Sequence, residues 1–271
     1  MDTCTYYASQ SSITDPAEFG EQLDALPSDP AEVCQALQGL FIDYAAWYSY
    51  PVGTERLLQT NDHYVRDILK NILDLNKSPL TTARPIPERV YASTSDYVSL
   101  FCAVARRRGI PARKRVGYTS GQMFRSYDVA EYWNGKQWQQ IDPAAMLEGE
   151  FLSAGRAWRL WRAGTLSPEQ FRGDPSRGAD VLLANLMLDL AAMNKVELLN
   201  WDRYGWMLRP FDQFSNRAWA LLDRCAELLE NSGPLEQLQE IYEQEEGVHV
   251  PEVIRCANPL VPPHQFELSR S

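Results

Sequence analysis

The sequence predicts an α+β fold, on three observations. Apolar residues at helical spacing dominate residues 1–80, and the same spacing returns from Phe151 onward. Between them, Tyr91 to Pro143 reads as one helix followed by strand-like runs around an Asn134-Gly135 turn. No internal repeat or low-complexity segment interrupts that order. The 271 residues are therefore read as a single domain, with an N-terminal helical part over 1–80, a core helix and sheet over 81–146, and a C-terminal helical part over 147–271.

Each element has a local reason. "DPAEFGEQLDAL" and "DPAEVCQALQGLFIDYAAWY" both open on Asp-Pro, an N-cap followed by proline at the first helical position. Over 61–75, Val65, Ile68, Leu69, Ile72 and Leu73 form a helical stripe. "STSDYVSLFCAVARRRG" is a helix with Tyr97, Leu100, Phe101 and Val104 on one face, closed by Gly109 with Pro111 just beyond. "ARKRVGY" reads as a strand, and "YDVAEYW" and "KQWQQI" flank the Asn-Gly turn. Later helices are expected in "GADVLLANLMLDLAAMNKVELLNWD", "SNRAWALLDRCAELLEN" and "PLEQLQEIYEQ".

A two-residue loop at Asn134-Gly135 sets the expected register. Trp133 then pairs with Lys136, Glu131 with Trp138, and Tyr127 with Asp142. Directly opposed residues have Cβ atoms about 4.5–5.5 Å apart, so this register brings a phenol against an acid.

Composition narrows the function classes. Apolar residues make up 45% of the chain and aromatics 11%, which describes a folded protein. A net charge of -10 argues against nucleic acid or anionic lipid as a partner. The start has no basic stretch leading into an apolar one, and no run of eighteen apolar residues occurs, so a cytoplasmic protein without a membrane span is expected. The five cysteines, Cys4, Cys34, Cys102, Cys225 and Cys256, lack the close spacing of a metal knuckle or redox pair, so no metal or cofactor is expected and free buried thiols are.

The helix ending in "RRRGIPARKRVGY", the following strand and the closing "IDP" resemble the transglutaminase-like superfamily, with its papain-like core. In that family a cysteine opens the helix, in a pattern like G-x-C-x-D-F, fifteen residues before the glycine of G-I-P-A-R. A histidine opens the later strand as D-H-W-V-x-E-Y-W, and an aspartate closes the hairpin. The resemblance implies that the cysteine attacks an acyl carbon, the histidine takes its proton and the aspartate orients the histidine. Carried over, the nucleophile position is Thr94, with Asp96 and Tyr97 matching the D-F that follows. The histidine position is Tyr127, and the aspartate is Asp142. "TNDHYVRDIL", "RAWRLWRAG" and "LDLAAMNKVELLNWD" resemble flanking stretches of a bacterial subgroup, so the resemblance covers most of the chain.

Two of the three triad positions are thus substituted. Thr94 is either a nucleophile needing a base, since a threonine hydroxyl does not ionise near neutral pH, or it or Ser95 caps a helix beginning near Asp96. Tyr127 is either an acid or hydrogen-bond donor, or fills the histidine's slot. Asp142 either holds Tyr127 or makes an ordinary Asp-Pro turn. Cys102, in mid-helix, reads as core packing, and His63 as a surface or capping residue of the 61–75 helix. His249 and His264 lie in the proline-rich C-terminal region. Arg106, Arg107, Arg108, Arg113, Lys114 and Arg115 are a local argument for an anionic partner, or else a solvated face closing a helix. The aromatics of "DYAAWYSY", with Trp158, Trp161, Trp201 and Trp206, read as core, or as the lining of a ligand cleft.

The sequence therefore points to a transglutaminase-like protein without the family's thiol chemistry, binding a peptide, an amine or an acyl-linked small molecule. The alternative is an enzyme repurposed for amide formation, cyclisation or hydrolysis. Oligomeric state has no signal in the sequence.

Overall fold

A computed structural model of the chain describes residues 2–50, 52–173, 175–231 and 233–269, and the fold is α+β. The chain forms two compact units, one of Met1–Lys114 with Val129–Met146 and the other of Arg115–Asp128 with Leu147–Ser271.

In the first unit, Asp2 caps α1 (Thr3–Tyr7). The first Asp-Pro gives less helix than expected. Asp15 accepts from the Ala17 N–H at 2.9 Å and Ala17 sits at φ 47°, so only a 3₁₀ turn over Ala17–Phe19 and α2 (Gly20–Asp24) form. The second Asp-Pro behaves as anticipated: Asp29 accepts from the Ala31 and Glu32 N–H groups, and Pro30 opens α3 (Pro30–Gln38).

The expected continuation of that helix is absent. Phe41–Asp43 is strand β1, paired in parallel with β2 (Val90–Ala92), and 3₁₀ runs occupy Tyr44–Ser49 and Thr54–Asn61. None of Tyr44–Ser49 is buried, so its aromatics are not core.

Two helices build the apolar centre of this unit. Val65, Ile68, Leu69 and Ile72 of α4 (Val65–Leu75) share one cluster with Val98, Phe101, Cys102 and Val104 of α5 (Thr94–Arg107). Cys102 is core, as expected. Gly109 ends α5 at φ 70°, with its N–H on Arg106 O at 2.9 Å and the Ile110 N–H on Ala105 O at 3.0 Å. This is the paired closure that a left-handed residue makes at a helix end. A Cβ at Gly109 meets nothing within 4 Å, so Gly109→Ala tests backbone conformation alone. It is expected to cost about 1–2 kcal/mol, read from the urea midpoint; a neutral variant would deny that the glycine is needed.

Strands β3 (Ala112–Thr119) and β4 (Phe124–Trp133) each contribute residues to both units. In the first unit β4 pairs with β5 (Trp138–Ile141), but not in the expected register. Trp133 pairs with Trp138 and Glu131 with Gln140, and the ladder ends at Ala130 opposite Ile141. The loop therefore has four residues. Gly135 takes φ 94° as an Asn-Gly turn requires, but the Asn134 side chain accepts from the N–H groups of both Lys136 and Gln137. That side-chain turn consumes two more residues than a two-residue loop. The expected opposition of Tyr127 and Asp142 is thereby displaced by two positions.

The basic run is not a solvated face. Arg106 donates to Ala112 O and Thr14 Oγ1, and Arg108 to the carbonyls of Leu23, Leu26 and Pro27. Arg107 pairs with Asp24 at the surface. Arg113 pairs with Glu131 and lies over the Trp138 ring at 4.2 Å. Each cation is committed within the chain.

In the second unit, β3 continues through Arg115 and pairs antiparallel with β6 (Phe151–Ser153), while β4 begins parallel to β7 (Phe171–Arg172). The strand order is β5-β4-β3-β6. Helices α6 (Ala154–Arg162), α7 (Ala179–Met193), α8 (Asn216–Glu230) and α9 (Leu235–Gln244) form where helices were expected, but α7 ends at Met193, with Lys195 at φ 61°, and the expected helical run does not continue to Asp202. Trp158 is fully buried against Trp161 and Trp219, a core role. A second sheet was not anticipated: β8 (Asp202–Arg203), β9 (Val253–Cys256) and β10 (His264–Glu267) pair in the order β10-β9-β8.

Candidate functional site

The first turn of α5 is built by short polar side chains. Ser93 is the N-cap, so the helix starts two residues earlier than the expected beginning near Asp96, and neither Thr94 nor Ser95 is the cap. Asp96 reaches back one turn. Its carboxylate accepts from the Ser93 N–H at 2.6 Å and from the Ser93 hydroxyl at 2.8 Å. Thr94 is the first helical residue and is half-buried, while Ser93, Ser95, Asp96 and Tyr97 around it are buried. Thr94 is thus the solvent-reachable member of this turn.

Beneath it lies a polar cluster. Ser95 is 0% exposed and its hydroxyl accepts a 2.7 Å hydrogen bond from Lys114 Nζ, itself 1% exposed on β3. Burial pushes Asp96 up to about 7, against its two Ser93 hydrogen bonds, with the Asp62 charge raising it further and the Lys114 charge lowering it. Asp62 is pushed up to about 6, again by burial first, with the Asn71 hydrogen bond and the His63 charge lowering it and Asp67 raising it. His63 follows Asp62 in the chain. It precedes α4 instead of lying on it, is 3% exposed, and has Nδ1 at 2.8 Å from Asn61 O. The expectation of a surface histidine is therefore corrected.

Asp142 follows the last residue of β5 and is half-buried. Its Oδ1 accepts from the Ala144 N–H at 3.1 Å, the turn chemistry expected of Asp-Pro. Burial first and the Asp142 charge second push the nearby Cys34 thiol up to about 12, which keeps it protonated at neutral pH. Thr94 and Asp142 belong to the first unit. Tyr127 belongs to the second, where it is buried on β4.

The sequence did not single out Asp62, and it offered Ser95 only as a helix cap. Asp96 was noted only as a motif match, and Lys114 only within the basic run. The signal that could have found Lys114 was a cation in mid-strand in "ARKRVGY", where every residue of β3 is buried. None of the five cysteines is in a disulfide, and Cys34, Cys102, Cys225 and Cys256 are buried. Among the described residues, no group of three or more His, Cys, Asp or Glu is placed to hold a metal ion. No helix among them is long and apolar enough to cross a membrane.

Comparison with known proteins bears on the same stretch. Residues 62–143 match the family model described as Transglutaminase-like superfamily. The match begins at Asp62 and ends one residue past Asp142. No curated protein matches the sequence. A solved candidate cysteine protease from Cytophaga hutchinsonii is similar at 13% identity and a TM-score of 0.35, over 54% of this chain and 44% of that one. The chain thus aligns with less than half the length of that protein.

Proposed function

We propose that the chain, whose residues 62–143 match the transglutaminase-like model, is a non-canonical member that binds a peptide, an amine or an acyl-linked substrate without thiol acyl transfer. One observation carries this reading: the solvent-reachable first residue of α5 is Thr94, and the nearest cysteine along the helix, Cys102, is fully buried in the apolar core. Tyr127 stands where the family has its histidine, and a phenol with an ordinary pKa near 10 is a weak base at neutral pH. Asp142 keeps the acid of the pattern and a turn that fixes it.

A repurposed enzyme for amide formation, cyclisation or hydrolysis is the second reading. The observation that favours it is the Lys114–Ser95 hydrogen bond one residue beyond Thr94, because a serine activated by a lysine is a known nucleophile arrangement. Both side chains are sealed from solvent, which places the pair below any substrate and leaves binding as the stronger reading.

Turnover of p-nitrophenyl acetate with hydroxylamine as acceptor separates the two. For a binding protein, Thr94→Val and Tyr127→Phe leave the rate within about twofold of wild type and shift stability by about 1 kcal/mol or less. A fall of two orders of magnitude in either variant, with the fold intact by circular dichroism, would establish the enzyme.

A further inference from the structure

The outer face of the β1–β2 pair carries polar groups that the fold leaves unsatisfied. Val90 and Ala92 belong to the apolar cluster. Strand alternation therefore turns Tyr91 to the opposite face, which the 3₁₀ run Thr54–Asn61 packs against. Tyr91 is 1% exposed, and its hydroxyl has no hydrogen-bond partner among the described residues.

Arg56 lies in that covering run. Its Nη1 donates to Pro87 O at 2.7 Å and its Nη2 to Arg89 O, which fixes the guanidinium plane. Its Nε is buried without a partner, and it makes no ion pair among the described residues. The carbonyl that Nη2 reaches, Arg89 O, lies two residues before Tyr91, which puts the guanidinium along the same stretch of chain as the Tyr91 ring; burial lowers the Arg56 pKa and raises that of Tyr91, and each group's charge acts on the other. Gln59 follows Arg56 by three residues. In a 3₁₀ run those positions eclipse, and the Gln59 Oε1 is also buried without a partner. A half-turn of that amide presents an N–H₂ group in its place.

We propose that this face is a carboxylate-binding site, in which the Tyr91 hydroxyl and Arg56 Nε donate to the ligand's carboxylate, Gln59 adds a third polar contact, and the 3₁₀ run Thr54–Asn61 shifts to admit it. Unpaired buried donors are costly, so a ligand that supplies acceptors to the Tyr91 hydroxyl and Arg56 Nε is favoured. A carboxylate fits better than a phosphate, because both Nη atoms are committed, few donors remain, and the Glu55 charge acts on both Arg56 and Tyr91. The cover is suited to opening. Its 3₁₀ runs are six and eight residues long, beyond the three or four that such geometry sustains well, and only Leu57 and Thr60 of them are buried. The site stands apart from whether Thr94 does chemistry, although β2 leads from Tyr91 into α5 within three residues.

The test uses N-acetylglycine as probe, with its uncharged amide N-acetylglycinamide as control and sodium chloride at matched ionic strength. N-acetylglycine is expected to raise the melting temperature saturably and the control is not. Tyr91→Phe is expected to weaken binding at least tenfold while leaving the free protein as stable as wild type or more so, because it deletes an unpaired hydroxyl. Arg56→Lys also weakens binding, and Glu55→Gln tightens it. The proposal is overturned if N-acetylglycine and its amide act alike, if neither acts, or if Tyr91→Phe destabilises the free protein, as loss of a hydroxyl satisfied by ordered water would do.

Discussion

Asp189→Ala is expected to lower stability by about 3–5 kcal/mol, the usual loss when one partner of a buried ion pair is removed. Asp189 sits in the middle of α7 with its side chain 0% exposed, opposite Arg115 at 4%. Its carboxylate accepts from Arg115 Nε and Nη2, each at 3.1 Å, and from the Val116 N–H at 2.8 Å. The same face of α7 meets β3 twice more, through Asn185 Nδ2 on Gly117 O at 2.9 Å and the Tyr118 hydroxyl on Val181 O at 3.1 Å. The spacing 181, 185, 189 is one helical face, so this register of polar contacts fixes α7 against the strand. Alanine takes the acceptor from the Val116 N–H and the compensating carboxylate from a buried guanidinium, which keeps its hydrogen bond to Leu229 O. Asp189→Asn keeps an acceptor and should cost less, and Arg115→Met with Asp189→Leu should recover part of the loss by removing both charges. Urea midpoints of the four proteins measure this. A loss below about 1 kcal/mol for Asp189→Ala would mean that the contact is not what holds α7 in place.

The legible parts of the sequence were those set by one or two residues acting locally. Asp29-Pro30 starts α3 and Gly109 ends α5 because caps depend on chemistry within a turn. The apolar stripes of α4 and α5 are periodic, and they meet in one cluster. What failed depended on a choice between two local solutions or on distant partners. Asn134-Gly135 does turn the chain, yet the Asn134 side chain captures two N–H groups and lengthens the loop, which moves every pair in the ribbon. The run from Arg106 to Arg115 looked like surface charge because its acceptors, from Thr14 to Asp189, are far away in sequence. Strands β9 and β10 flank a proline-rich stretch and are four residues each, too short for alternation to declare them. Around the first turn of α5, Lys114, bonded to Ser95, was not readable, since a strand's cation looks solvated until its burial is known.

Burial of Asp96 predicts a protein that is less stable at pH 8 than at pH 5. An unfolded aspartate titrates near 3.8 and the folded one near 7, so the native state binds the proton more tightly across that interval. Stability from this group is greatest below about pH 4, falls as pH rises toward 7, and stays low above it. Two pKa units lie between pH 5 and the folded value, which corresponds to about 3 kcal/mol. Asp62, pushed up to about 6 by burial, acts in the same direction over a narrower window. Asp24 and Glu169 have lowered pKa values and oppose the trend at more acidic pH, but both are exposed and contribute little. The expected profile is therefore a urea midpoint that drops steadily between pH 5 and 7. Asp96→Asn keeps an acceptor for the Ser93 N–H and removes the titrating group. It should flatten most of the slope and be at least as stable as wild type at pH 8. If the wild-type midpoint is level from pH 5 to 8, the Asp96 carboxylate is held ionised, and its Ser93 hydrogen bonds and the Lys114 charge then outweigh its burial.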